Sequence, residues 1–250
     1  MEAVLVLLAL LFAIILYWIR RSPALKGAYG EAKVKLAADL FLNNSDYRRL
    51  DNVTLPIGSR TTQIDHVLVS IYGVFVIETK NMEGWIFGAA NQRHWTQVLY
   101  KKKFKFQNPL RQNYLHVKAV QSALRVPKAC IHSVVVFAGG AELRTQMPQN
   151  VTHINGLIGY VRSFDRPVFT AAECDSMVER LQAGRFLPTT STERRHVDSL
   201  RRSDVATAMG ICPRCGGRLV QRTARKGPSA GSSFLGCSAY PGCKYTSPIG

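Results

Sequence analysis

The stretch TTQIDHVLVSIYGVFVIETK, Thr61 to Lys80, decides the fold of this chain. Two runs rich in β-branched residues, Thr61–Ile71 and Val74–Lys80, flank a Tyr72-Gly73 turn, which reads as a hairpin of adjacent strands. Upstream, Tyr47–Leu55 is a further extended segment. Before it, Gly27–Asn44 has helical spacing, with Val34, Ala37, Ala38, Phe41 and Leu42 in one stripe. Downstream, Trp85–Phe87 and Trp95–Phe106 read as strands. Asn108 caps a helix that has Pro109 at its first position and runs to about Arg125. Ile131–Ala138 is a short β-branched run typical of a buried strand, and a helix over Ala171–Ala183 closes at Gly184. This order predicts an α/β domain with a mixed sheet flanked by helices.

The hairpin carries charge among its apolar residues. Side chains alternate along a strand, so Gln63 and Asp65 share one face, as do Glu78 and Lys80. Two carboxylates and a lysine at the end of an apolar hairpin are costly to bury unpaired. As ligands of a hard divalent ion they make sense: Asp65, Glu78 and the Thr79 carbonyl bind Mg²⁺ or Mn²⁺, and Lys80 orients or activates an attacking water. Glu31, near the start of the first helix, offers a further carboxylate. The bare spacing fits an exposed acid–lysine pair as well. His66 points away from Asp65 and is not expected to be a ligand. His116, one turn after Gln112 on the same helix face, is a weaker candidate for a substrate contact.

Lys and Arg outnumber Asp and Glu by 33 to 16, a net charge of +17 that draws the chain to polyanions, either nucleic acid or anionic lipid. A hydrophobic content of 46% excludes a disordered chain. Of the six cysteines, Cys130 and Cys174 stand alone and read as small buried hydrophobes. The others fall in two close pairs, which excludes a secreted disulfide scaffold and implies a reducing compartment. Ala3–Ile19 is apolar throughout and is followed by Arg20 and Arg21. It reads as one retained transmembrane helix with the bulk of the chain on the cytoplasmic side, the lipid bilayer being its partner. Trp85 and Trp95 read as core. Tyr100–Phe106 (YKKKFKF) interleaves cations with aromatics, either to track phosphates or to guard a sheet edge.

Cys212-Pro-Arg-Cys215 and Cys237-x5-Cys243 can close a tetrahedral Zn²⁺ site, with Gly216-Gly217 and Pro241-Gly242 supplying the turns. These residues, with Leu219, Val220 and Phe234, resemble the C-terminal four-cysteine zinc fingers of bacterial type I DNA topoisomerases. That resemblance implies binding of single-stranded DNA. Phe234, Tyr240 and Tyr245 offer stacking faces, and Arg214, Arg218, Arg222, Arg225, Lys226 and Lys244 offer phosphate contacts. From Gly184 onward there are 11 basic and 3 acidic residues, so the excess of charge is local.

A second resemblance rests on motifs in order: Gly27-x-x-Gly30-Glu31, Gln63-Ile64-Asp65-His66, Gly73 to Asn81, Gly84-x-Ile86-x-Gly88, Trp95, and Asn108-Pro109-Leu110-x-Gln112. From Lys26 to Ala138 the chain resembles the nuclease-related domain family, which is related to restriction-endonuclease-like folds. The resemblance implies that Asp65, Glu78 and Lys80 are the catalytic set. Glu31 then stands as the acidic residue of the first helix and Gln112 as a polar residue of the later one. The chain thus divides into an anchor (1–21), a nuclease-related α/β domain (26–185), a basic linker (186–209) and a zinc ribbon (210–250). The implied activity is metal-dependent cleavage of DNA, and the rival expectation is a nuclease fold that binds nucleic acid without cutting it.

Overall fold

Why the central hairpin forms is visible in its burial: Val67, Val69, Val74, Phe75, Val76 and Ile77 are all fully enclosed. The computed structural model describes residues 22–58, 60–185, 209–213, 215–224 and 231–248. The expected anchor, all but the last residue of the linker, Arg214, Arg225 and Lys226 lie outside them. Among the described residues no helix is long and apolar enough to cross a membrane. In chain order the elements are α1 (Pro23–Phe41), β1 (Tyr47–Ile57), β2 (Arg60–Ser70), β3 (Gly73–Lys80), β4 (Gly84–Phe87), β5 (His94–Leu99) and β6 (Lys102–Gln107). There follow α2 (Pro109–Leu124), β7 (Ile131–Phe137), β8 (Ala141–Leu143), β9 (Val151–His153), α3 (Ile154–Arg162) and α4 (Ala171–Gly184). The C-terminal unit holds β10 (Leu219–Thr223), β11 (Ser233–Cys237) and β12 (Thr246–Pro248).

The main sheet has the order β1-β2-β3-β7-β9, with β2 antiparallel to β3 and β7 parallel to both β3 and β9. It is therefore mixed, as the element order predicts. Its two faces are separate cores. Leu68, Phe75, Ile77, Val134 and Val136 pack against Val34 and Ala38 of α1, its C-cap Leu42, and Leu157 and Val161 of α3. The intervening residues Val74, Val76, Glu78 and Lys80 face the other way, toward α2, because successive strand residues alternate. That second layer also holds a four-stranded sheet of order β6-β5-β4-β8, whose Ile86 and Trp95 pack with Val135 and Phe137.

α2 is fixed at its start. Asn108 is fully buried, its side-chain oxygen accepts from the Leu110 N–H at 2.9 Å, and its amide donates to the carbonyls of Ala89, Ala90 and Gln92. Farther along, the buried amide of Asn113 donates to the Val76 and Val134 carbonyls and to Ser133, clamping α2 across β3 and β7.

Several expectations need correction. Trp95–Phe106 is two strands, broken by Tyr100 and Lys101 at φ 47° and 65°. Two successive positive-φ residues make the tight hairpin turn that matches strand twist, here without the usual Asn-Gly. Phe41 is exposed although its stripe neighbours Val34, Ala38 and Leu42 are buried, since α1 ends there and the sheet lies under the other side. Trp85 is also exposed, because its strand position faces away from the core, and Cys130 is only half-buried in a 3-10 turn. Cys174 is buried as expected. α3, β8 and β9 carry no sequence signal strong enough to be anticipated: the strands are three residues long and α3 contains Gly156 and Gly159.

Candidate functional site

At the C-terminal end of β3 the sheet presents acids and a lysine to α2. Glu78 is 2% exposed, and each of its oxygens has a partner. Oε1 lies 2.7 Å from Lys80 Nζ, and Oε2 accepts from His116 Nε2 at 2.9 Å. The other nitrogen of His116, Nδ1, is 2.8 Å from the Thr62 hydroxyl on β2, which fixes the ring between two strands. Lys80 also donates to Gln112 Oε1 at 3.0 Å. Gln112 and His116 are one turn apart on α2, so a single helix face braces both Glu78 and Lys80.

Asp65 sits on the neighbouring strand, on the same side of the sheet. Its Oδ2 accepts from the backbone N–H of Thr79 at 2.7 Å, which ties β2 to β3 beside the site. Glu31 is brought close by Gly30: a Cβ there would stand 2.7 Å from Asn81 Cβ, so only glycine lets α1 approach the end of β3 this tightly.

Charge explains the chemistry available. Burial first, and then the charge of Glu78, raise the Asp65 carboxyl to about 7, with Glu31 adding to the rise and the Thr79 N–H opposing it. Burial would raise Glu78 too, but the hydrogen bond from His116 and the Lys80 ammonium outweigh it and hold its carboxyl below the usual value. An ionised glutamate beside an acid poised near neutrality is a place where a divalent cation relieves repulsion. Magnesium commonly uses only one or two carboxylates, completed by water and substrate phosphates. Asp65 and Glu78 fit that pattern, and Thr79, whose carbonyl is the expected third ligand, directly follows Glu78 in the chain. A cation at Glu78 Oε1 would compete there with the Lys80 ammonium.

His66 faces away, as expected: it is buried on the α1 side, 2.7 Å from Asp51. His116 does not meet the expectation of a substrate contact. It is 3% exposed, with both nitrogens engaged, and acts as a buttress for Glu78. Its Gln112 spacing is legible in the sequence; the approach of Thr62 from β2 is not. Gln63 is exposed, and its side-chain amide donates to Asn52 of β1.

In the C-terminal unit, Cys212, Cys215, Cys237 and Cys243 gather with all four sulfurs within 4.8 Å of one another. They are the one group of three or more potential ligands this close among the described residues. Cys212 and Cys243 stand 3.8 Å apart, and Cys215 and Cys237 3.3 Å. Zn–S bonds of about 2.3 Å in a tetrahedron require sulfurs about 3.8 Å apart, so the cage fits zinc. The Gly217 N–H, and after it the neighbouring thiols, lower Cys215 to about 7. At Cys237 the Ala239 N–H favours the thiolate, but burial and Cys215 outweigh it and push the thiol up to about 12. Four thiolates cannot share this space without a cation among them.

Beside the cage, Arg222, Phe234, Tyr240, Lys244 and Tyr245 line one cleft of about 270 Å³. The Arg222 guanidinium is 5.7 Å from the Tyr240 ring centre, and Tyr240 is 60% exposed. Arg218 is exposed on β10's approach and does not line the cleft.

A family model described as nuclease-related domain matches residues 26–138, and one described as topoisomerase DNA binding C4 zinc finger matches residues 209–250. The chain is 33% identical over 186 residues to an uncharacterized protein of Bacillus anthracis, covering 72% of this chain and 86% of that one. Over 41 residues it is 49% identical to DNA topoisomerase 1 of Archaeoglobus fulgidus, 16% of this chain and 6% of that protein. Over 38 residues it is 50% identical to the uncharacterized protein YrdD of Escherichia coli K12, 15% of this chain and 18% of that one. No solved structure matches. The ribbon match and the cysteine cage together support one structural Zn²⁺, and both matched regions support binding of nucleic acid.

Proposed function

Because the chain belongs to the nuclease-related domain family and carries a topoisomerase-type zinc ribbon, we propose that it is a metal-dependent nuclease that cleaves DNA phosphodiesters. In this reading the α/β unit is restriction-endonuclease-like, the ribbon holds single-stranded or branched DNA, and residues 1–21 anchor the chain in the bacterial inner membrane, domains facing the cytoplasm. The observation that carries it is the Asp65, Glu78 and Lys80 set braced by Gln112 and His116 at the end of β3.

Asp65 and Glu78, with the Thr79 carbonyl, are the residues to hold Mg²⁺ or Mn²⁺. When bound, such an ion supplies Lewis acidity at a phosphoryl oxygen and an acidified water. The protein's own part is positioning. Lys80, held by Gln112, would direct its ammonium to the attacking water and the charge that develops on phosphate. His116 holds Glu78 in one orientation. Glu31 adds negative charge that favours the cation. The experiment is cleavage of single-stranded, duplex and branched DNA by the full chain, with and without Mg²⁺ or Mn²⁺, beside Lys80→Ala. Loss of cutting with retained binding in the variant supports the reading.

A non-catalytic nucleic-acid-binding protein is the second reading. It is favoured by one observation: both Glu78 oxygens are already satisfied, by Lys80 and His116. Binding without cutting by the unaltered chain on every substrate selects it.

A further inference from the structure

The outer face of the four-stranded sheet is not used by the carboxylate site. Its register pairs Trp85 with Val98 and Phe87 with Thr96, while Val98 pairs with Lys103 and Thr96 with Lys105. Directly paired residues share a face, so Trp85, Phe87, Lys103 and Lys105 stand together, opposite the buried Ile86 and Trp95. Trp85 is 46% exposed and Phe87 37%. The Arg144 guanidinium lies 4.7 Å over the Trp85 ring, and Glu142, the acid of β8 on this face, is paired with that arginine at 2.6 Å. Lys103 and Lys105 are exposed on the edge strand β6, with no ion-pair partner among the described residues. At the hairpin tip Tyr100 is 90% exposed on a left-handed backbone.

Exposed aromatics interleaved with unneutralised cations are the chemistry of a stacking platform beside a phosphate track. We propose that this sheet face binds single-stranded nucleic acid, as a contact surface additional to the ribbon. Bases stack on Phe87 and against the Trp85–Arg144 pair, and the backbone runs along Lys103 and Lys105. An apolar protein partner has no use for the lysines, and a bilayer has none for a half-exposed, cation-capped indole in mid-sheet. Trp85 follows Lys80 by five residues, so the two lie at most about 18 Å apart. At about 3.4 Å per phosphate along one strand, a strand engaged at the carboxylate site reaches the platform within about five phosphates. Only this last point rests on the nuclease reading.

The test uses the full chain in detergent, without Mg²⁺, and a bromouracil-substituted single-stranded oligonucleotide. Trp85→Leu should weaken binding on the order of tenfold, while Trp85→Phe, which keeps an aromatic face, stays near the unaltered chain. The double variant Lys103→Gln/Lys105→Gln should reduce the logarithmic salt slope by about 1.4, or about 0.7 per lysine. Photo-cross-links should map to the segment carrying Trp85 and Phe87 as well as to the ribbon. Cross-links confined to the ribbon, or equal binding by the Leu and Phe variants, overturn the proposal. So does competition by polyglutamate as strong as by the oligonucleotide, which points to an acidic protein instead. No cleavage is read, so a chain that never cuts yet shows this pattern loses the nuclease reading and keeps the platform.

Discussion

The two ligand sets of this molecule are built in opposite ways. The acids of the α/β unit come from α1, β2 and β3 and are braced by α2, so they depend on long-range packing in a unit with two apolar cores. The four cysteines sit in two tight knuckles, and the buried cluster around them consists of Cys212, Cys237 and Cys243 themselves, flanked by Leu219 and Tyr245. One site is positioned by apolar cores that lie apart from it. The other has little apolar core of its own.

The largest break in that contrast should come from zinc. Binding of structural zinc is worth about 10–16 kcal/mol in small finger domains, so Cys237→Ser or a strong chelator should unfold the ribbon. The α/β unit should remain folded, as limited proteolysis and the near-ultraviolet signal of buried Trp95 can follow. A ribbon that keeps its structure in chelator breaks the comparison.

Next in size is the buttress. His116→Ala leaves one oxygen of the buried Glu78 without its donor and should destabilise the α/β unit by about 2–4 kcal/mol in urea unfolding. A cost below about 0.5 kcal/mol shows that Glu78 does not depend on the ring.

Asp65 gives a pH signature. Its folded pKa, raised to about 7 by burial and Glu78, exceeds the unfolded value near 3.8. Its contribution to stability is therefore fully present below about pH 4 and is lost as pH rises through 7, on the order of 2 kcal/mol after solvent screening. Asp65→Asn should remove this slope in unfolding measurements between pH 4 and 8, and Mg²⁺ should offset it in the unaltered chain. An unchanged slope in Asp65→Asn contradicts the assignment.

The smallest effect concerns the ribbon cleft. Arg222→Ala should weaken single-stranded DNA binding and reduce the logarithmic salt slope by about 0.7, the share of one phosphate.

The same contrast governs what the sequence reveals. The cysteine cage is legible because its turns and ligands are local: Cys212 and Cys215 with Gly216-Gly217, and Pro241-Gly242 before Cys243. The hairpin is legible from β-branched runs, and α2 from Asn108-Pro109. What escapes depends on partners far along the chain. Thr62 meeting His116 spans 54 residues, and Asn113 clamping Val76 and Val134 spans 37 and 21. Trp85 is misjudged as core because periodicity says which residues share a face, not which face the second sheet turns outward.

Cleavage of DNA by the full chain and by Asp65→Asn, in Mg²⁺ or Mn²⁺, with binding measured on the same samples, separates a nuclease from a protein that only binds. Metal-dependent cutting is expected from the unaltered chain, and none from Asp65→Asn, whose affinity for DNA is equal or higher because a carboxylate near the phosphates has gone. Cutting by Asp65→Asn at the unaltered rate contradicts the assigned site, and absence of cutting by the unaltered chain on every substrate contradicts the nuclease itself.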